Sequence, residues 1–187
     1  KITTKQQNPN PHPPKFISQS KNSTFFLPFN AKIQKQEPTS KYKNTQKQEH
    51  MIRKQQEKDI DEIINICYKA SGLAHPFLKT DFVEQVKKDL RDVYLPNAAT
   101  WVYEDNHSVV GFISMLGNEI GGLFVLPDYH FKGIGTSLVD FVKEFYPELE
   151  VEVFEKNAIG RAFYEKYGFV QIKRYFHTES NSDMLRL

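Results

Sequence analysis

Cysteine occurs only once in the 187 residues, at Cys67, so an intramolecular disulfide framework is excluded and a reducing, cytoplasmic setting is expected. No apolar run approaches the roughly 20 residues that cross a bilayer, so no membrane partner is expected. The Rossmann GxGxxG fingerprint and the GxxxxGK[ST] loop of nucleoside triphosphatases are both missing. The 6 histidines show no HExxH or other ligand spacing, so no metal is expected.

Other shortages are local. Residues 1–50 contain no glycine and only 2 of the 23 acidic residues, yet they hold 9 of the 25 Lys and Arg and 6 of the 10 prolines. With little apolar surface to offset ordering entropy, this stretch is expected to be a disordered basic tail. Its "FFLPF" at residues 25–29 is the one candidate docking motif. It has neither the apolar core of a secretory signal nor the arginines of a transit peptide. The chain opens on Lys1, which makes Met51 a candidate native start and residues 1–50 an extension, a fragment or an artefact of gene prediction. The remainder carries 16 basic against 21 acidic residues, which argues against nucleic acid as its partner. A single folded domain is expected over residues 51–187, as either a monomer or a homodimer.

From Asp59 the pattern is helical. Ile60, Ile63, Ile64 and Cys67 recur on one face, Asp59 and Glu62 form a candidate capping box, and the helix is expected to end near Gly72. Cys67 on that face reads as core. A second helix starts at Thr80 and Asp81, buries Phe82, Val86, Leu90, Val93 and Tyr94, and closes at Pro96. The period then becomes two. "TWVYE" and "SVVGFIS" flank the turn residues "DNH" as a hairpin, and "EIGGLFVLP" is a third strand whose Gly121-Gly122 pair predicts a bulge or a close backbone approach. A helix over residues 135–145, the strand "LEVEVF", a helix over residues 157–167 stopped by Gly168, and two last strands in "FVQIKRYFH" and "DMLRL" complete the order. The fold class is α/β: a mixed sheet with helices on its faces. Trp101, Phe112 and Phe124 read as sheet packing.

Two stretches carry chemistry. In "LFVLPDYHFKGIGTSLVDFV" a strand passes through Pro127 into Gly133-Ile134-Gly135 and straight into a helix, which aims free backbone N–H groups and the positive end of the helix dipole at one small volume. That volume suits an anion; Lys132 adds charge and Thr136 a hydroxyl. In "EVFEKNAIGRAFYEKYGF", Asn157 follows a strand and Phe163-Tyr164 precede a "YGF" exit.

Together these motifs resemble the GNAT superfamily of N-acetyltransferases, over residues 51–187, and within it the small bacterial YjaB-like branch, on "AHPFL", "LFVLP" and "FYEKYGF". The resemblance implies a mostly antiparallel central sheet flanked by helices. It implies acetyl-CoA as acyl donor, transferred directly to a primary amine, either a small molecule or a lysine, in a ternary complex. His130, Phe131, Lys132, Gly133, Ile134, Gly135 and Thr136 would bind the pyrophosphate, the strand backbone at Phe124 and Val125 would pair with the pantetheine arm, and Asn157 would hold the same arm. Tyr164, beside the sulfur, would protonate the departing thiolate; Glu119 and His75 are the two candidates for the base. His130 replaces the family's Gln or Arg, and Gly160 its Ala, a loss of helix propensity of up to about 1 kcal/mol. The rival readings are a non-catalytic module that senses acyl-CoA, and a different acyl donor such as succinyl-CoA.

Overall fold

The structure is a computed structural model, and it describes residues 50–187. The tail expected to be disordered, with its "FFLPF", lies outside the described residues. The element order is β1 (His50–Lys54), α1 (Ile60–Ala74), α2 (Thr80–Asp89), a short α3 (Leu95–Asn97), β2 (Ala99–Asp105), β3 (Ser108–Leu116), β4 (Glu119–Val125), α4 (Ile134–Lys143), β5 (Glu150–Phe154), α5 (Ala158–Tyr167), β6 (Lys173–His177) and β7 (Ser182–Arg186). The strands form one sheet in the order β1-β2-β3-β4-β5-β7-β6. All pairs are antiparallel except β4 with β5.

Strand β1 is absent from the sequence expectation: its five residues, "HMIRK", hold too few apolar positions for a period to register. It is fixed by pairing along β2 and by Arg53, whose guanidinium reaches Glu104 at 2.7 Å and Asp59 at 2.7 and 3.0 Å. The Arg53 contact holds the Asp59 carboxyl below its ordinary range. Asp59 also accepts from the Gln56 N–H at 2.8 Å. The expected capping box with Glu62 is therefore not formed, and α1 is entered through a 3-10 turn at Glu57–Asp59 instead.

Helix α2 begins at Thr80 as expected but passes through a π-helical turn, Leu90–Tyr94, before Pro96 ends it in α3. The extra residue rotates the buried stripe. Val86, Leu90, Tyr94 and Leu95 face inward, whereas Val93, expected in the core, is 42% exposed.

The β2–β3 turn is tighter than "DNH" suggested. Asp105 remains in β2, and Asn106 and His107 alone turn the chain with φ of 48° and 66°, the two positive values of a type I′ hairpin. The bulge expected at the glycine pair is present: Met115 pairs with Ile120 and Ser114 with Gly122, leaving Gly121 unmatched.

Strand alternation then sorts the core. Trp101, Val110, Ile113, Ile120 and Val153 pack under Leu138, Val139 and Val142 of α4, while Val102 and Phe112 meet Ile63, Ile66, Cys67 and Leu90 on the other face. Burial on both faces makes this a two-sided sheet, and each face supplies one wall of the site below. Among the described residues, no helix is long and apolar enough to cross a membrane.

Candidate functional site

Parallel strands β4 and β5 pair only at Glu119–Glu150 and Ile120–Val151. Beyond that point β4 bends at its bulge and β5 goes on to pair with β7 through Glu152, Val153 and Phe154, so the two strands part. The gap is a cavity of about 970 Å³ lined by residues 120–125, 133–136 and 151–154, by α5, and by His75 and Met184.

The open edge of β4 is specific. The Leu126 N–H bonds the Val110 carbonyl across to β3, and the Phe124 carbonyl lies 3.1 Å from where a Cβ on Gly111 would sit, again on the β3 side. Successive residues of a strand point their polar groups to opposite sides, so Leu123 and Val125 present theirs to the cavity. Phe124, expected to offer its backbone to a ligand, therefore faces the wrong way; its ring packs on Phe112 at 5.4 Å. Leu123 takes its place beside Val125.

At the far end of β4 the chain turns at Pro127–Tyr129 and enters α4 through Gly133, whose φ of +82° few side chains tolerate. The first helical hydrogen bond is the Ser137 N–H donating to the Gly133 carbonyl at 2.9 Å. The amides of Ile134, Gly135 and Thr136 precede it and have no carbonyl four residues back to bond. A Cβ built on Gly133 meets nothing within 4 Å, and Gly133, Ile134, Gly135 and Thr136 all line the cavity. The cradle therefore fits a diphosphate. Gly135 has a different reason to be glycine: a Cβ there would stand 3.1 Å from the Phe163 ring, where α4 and α5 close together.

Two flanking side chains are placed otherwise than expected. The His130 Nε2–H donates to the Val125 carbonyl at 3.0 Å, so this ring ties the loop back to β4 and does not itself face an anion at the amides. Lys132 Nζ sits 4.2 Å from the centroid of Tyr129, which places its charge over that ring. Phe131 and Thr136 are both exposed at the loop.

On the opposite wall Asn157 caps α5. Its Oδ1 accepts the Gly160 N–H at 2.8 Å, which orients the amide so that Nδ2 donates to His75 Nε2 at 3.0 Å. The bond requires His75 to carry its proton on Nδ1. Burial pushes the His75 pKa down to about 4, and Phe77 and Phe154 enclose the ring at 5.9 and 5.3 Å. A neutral imidazole with its acceptor nitrogen already engaged orients Asn157; it is a weak base. Gly160 is explained by the same contact. A Cβ there would lie 2.7 Å from Asn157 Nδ2 and 3.2 Å from Val153 Cγ2, so helix propensity is not what governs this position. Gly160→Ala, which propensity alone would make stabilising by up to about 1 kcal/mol, is expected to displace the Asn157 amide and weaken coenzyme binding. Titration calorimetry beside a thermal melt checks this; an unchanged affinity in a more stable protein would contradict it.

Tyr164 is 7% exposed and lines the cavity. Its ring is set by edge contacts to Phe163 at 5.2 Å and Phe169 at 5.3 Å. Burial raises its pKa, so the phenol keeps its proton at any working pH. Glu119 does not line the cavity. It sits where β4 and β5 are still paired, 8% exposed and 3.2 Å from Arg186. Desolvation, opposed by Arg186 and assisted by Glu152 and Glu150, pushes its pKa up to about 7.

The charge cluster around Arg186 was not foreseen. Glu150, Glu152 and Glu119 all surround this one guanidinium, and the Tyr175 hydroxyl donates to Glu152. Of the three carboxylates, Glu152 borders the cavity. Alternation in "LEVEVF" already puts Glu150 and Glu152 on one face with Phe154; what it lacks is the partner strand β7 that brings Arg186 across from Glu152.

A split parallel pair, a glycine-entered helix opposite its open edge and a buried phenol between them define an acyl-transfer scaffold, and comparison with known proteins gives it a family. The acetyltransferase (GNAT) domain family matches residues 96–171. The peptidyl-lysine N-acetyltransferase YiaC of Escherichia coli K12 is 33% identical over 120 residues, 64% of this chain and 82% of that protein. Its counterpart YjaB, from the same organism, is 31% identical over 119 residues, 63% of this chain and 80% of that one. The solution structure of apo YjaB from E. coli superposes with a TM-score of 0.67 at 27% identity, covering 73% of this chain and 95% of that one. The fold is shared with the PaiA N-acetyltransferase of Thermoplasma acidophilum, solved with coenzyme A, at a TM-score of 0.61 and 19% identity over 74% of this chain and 98% of that one. The chain belongs to the GNAT family and is an N-acetyltransferase.

Proposed function

We propose that the protein transfers the acetyl group of acetyl-CoA directly to the ε-amine of a lysine on another protein. The observation that carries this reading is the gap between β4 and β5, which brings Ile134, Gly135, Thr136 and Tyr164 to one cavity. When bound, acetyl-CoA supplies a thioester carbonyl that an amine can attack. The amides of Ile134, Gly135 and Thr136 hold the diphosphate, the backbone of Leu123 and the N–H of Val125, whose carbonyl His130 engages, pair with the pantetheine amides, and Asn157, steadied by His75, faces the same arm. Tyr164 gives its proton to the sulfur as the C–S bond breaks. Glu119 takes the proton of the attacking amine through a water relay past Glu152. No acyl-enzyme is formed: Cys67 lies on the buried face of α1, in the core, where burial pushes its thiol up to about 12. Lysine is assigned as acceptor because the YiaC and YjaB relatives are peptidyl-lysine N-acetyltransferases. The acidic rim at Glu152 suits a cationic chain on arrival.

A thiol-release assay with acetyl-CoA against a lysine-containing peptide and a panel of small amines tests this. Release with the peptide and little with free amines is expected; binding of acetyl-CoA without release across the whole panel would make the protein a sensor of the coenzyme.

The base carries its own pH signature. Glu119 acts when ionised, so its contribution is present above about pH 7 and is lost as pH falls through that value. The acceptor must also be neutral, and a lysine amine has a pKa of about 10.4. The logarithm of kcat/KM is then expected to rise with slope two below pH 7 and slope one above it. Glu119→Gln should lower the rate and leave slope one throughout. A retained break near pH 7 in that variant would move the base to another group.

A further inference from the structure

We propose that the side chain of Phe131 is the stacking platform for the adenine of the coenzyme. This rests on the coenzyme reading above and goes beyond it, because the reading uses only the backbone of this loop. Two features of Phe131 are unfavourable in isolation. Its ring is fully exposed, at 104% relative accessibility, and its φ is +62°, a left-handed conformation that suits glycine or asparagine and not a bulky aromatic. Water and backbone both disfavour phenylalanine here, and a ligand that covers the ring would offset both.

The ring is nonetheless held in place. His130 meets it edge to face at 6.2 Å and 85°, and His130 is itself tied to the Val125 carbonyl. Phe131 borders the mouth of the cavity, three residues before the first free amide, that of Ile134. Order along the coenzyme does the rest. With the pantetheine arm on β4 and the diphosphate on the amides of residues 134–136, the adenosine is the part that leaves the cradle toward the exposed side of the loop. A purine presents a flat π-face, and an exposed aromatic ring is its natural complement.

Calorimetry with two ligands separates this role from loop shape: coenzyme A, and 4′-phosphopantetheine, which keeps the pantetheine arm and one phosphate but lacks the adenylate with its 3′-phosphate. Phe131→Ala is expected to weaken coenzyme A about five- to thirtyfold while leaving 4′-phosphopantetheine within about twofold. Phe131→Trp should retain coenzyme A affinity. Phe131→Gly, which relieves the left-handed strain, should lose as much as the alanine variant. Equal losses for both ligands would mean that the ring only shapes the loop, and undiminished coenzyme A binding by Phe131→Ala would remove the platform; either overturns the proposal. A wild-type protein that does not bind coenzyme A would instead overturn the coenzyme site itself.

Discussion

Gly133→Val is expected to abolish coenzyme A binding, raising the dissociation constant at least about a hundredfold. Two effects act together. At φ +82° an L side chain costs roughly 1–2 kcal/mol, and β-branching adds to this, so the turn shifts away from the geometry that lines up the following amides. The side chain would also occupy open space at the entry to α4, on the cavity that Gly133 lines together with Ile134, Gly135 and Thr136, where it would compete with a ligand for those amides. Gly133→Asn separates these effects, since asparagine tolerates the left-handed region but still fills the cradle. Its affinity should also fall, without the loss of thermal stability expected for valine. Full affinity in the valine variant would place the coenzyme elsewhere.

The second large effect is on turnover. Tyr164→Phe should lower kcat by about 10²- to 10³-fold, the range of a positioned general acid, while the dissociation constant for coenzyme A changes little. The substitution keeps the ring and its contacts with Phe163 and Phe169, and deletes only a hydroxyl that takes no hydrogen bond among the described residues. Because burial holds the phenol protonated, this loss should be the same across the pH range in which the Glu119 limb varies. An unchanged kcat would exclude Tyr164 as the acid, and an equal fall in coenzyme affinity would make it a packing residue.

The elements whose cause is local were legible in the sequence. Glycine marks the bulge at Gly121, the entry to α4 at Gly133 and the exit from α5 at Gly168, where φ is +109°. Asn157 was singled out by the resemblance of its motif, and its bond to a backbone N–H only three residues away is a contact local enough to go with that motif. Val93 was misplaced since a π-turn leaves no mark in a pattern of apolar spacings. Phe124 was misassigned because a sequence does not say which side of a strand its neighbour occupies. Gly160 was read through helix propensity alone, and the Asn157 amide that excludes a Cβ could not be seen until α5 was folded against β5.

What the sequence by itself determined is every strand but β1, the main helices and the two motifs, because hydrophobic period, glycine conformation and capping act over a few neighbouring residues. Only the tertiary structure decided that β5 leaves β4 to pair with β7, that His75 reaches Asn157 across 82 residues of chain, and that Arg186 gathers three glutamates from two other strands. Those contacts depend on which strand edges remain free once the core has closed. No short stretch of residues encodes that choice, since it is made by the burial and hydrogen bonding of the whole sheet at once.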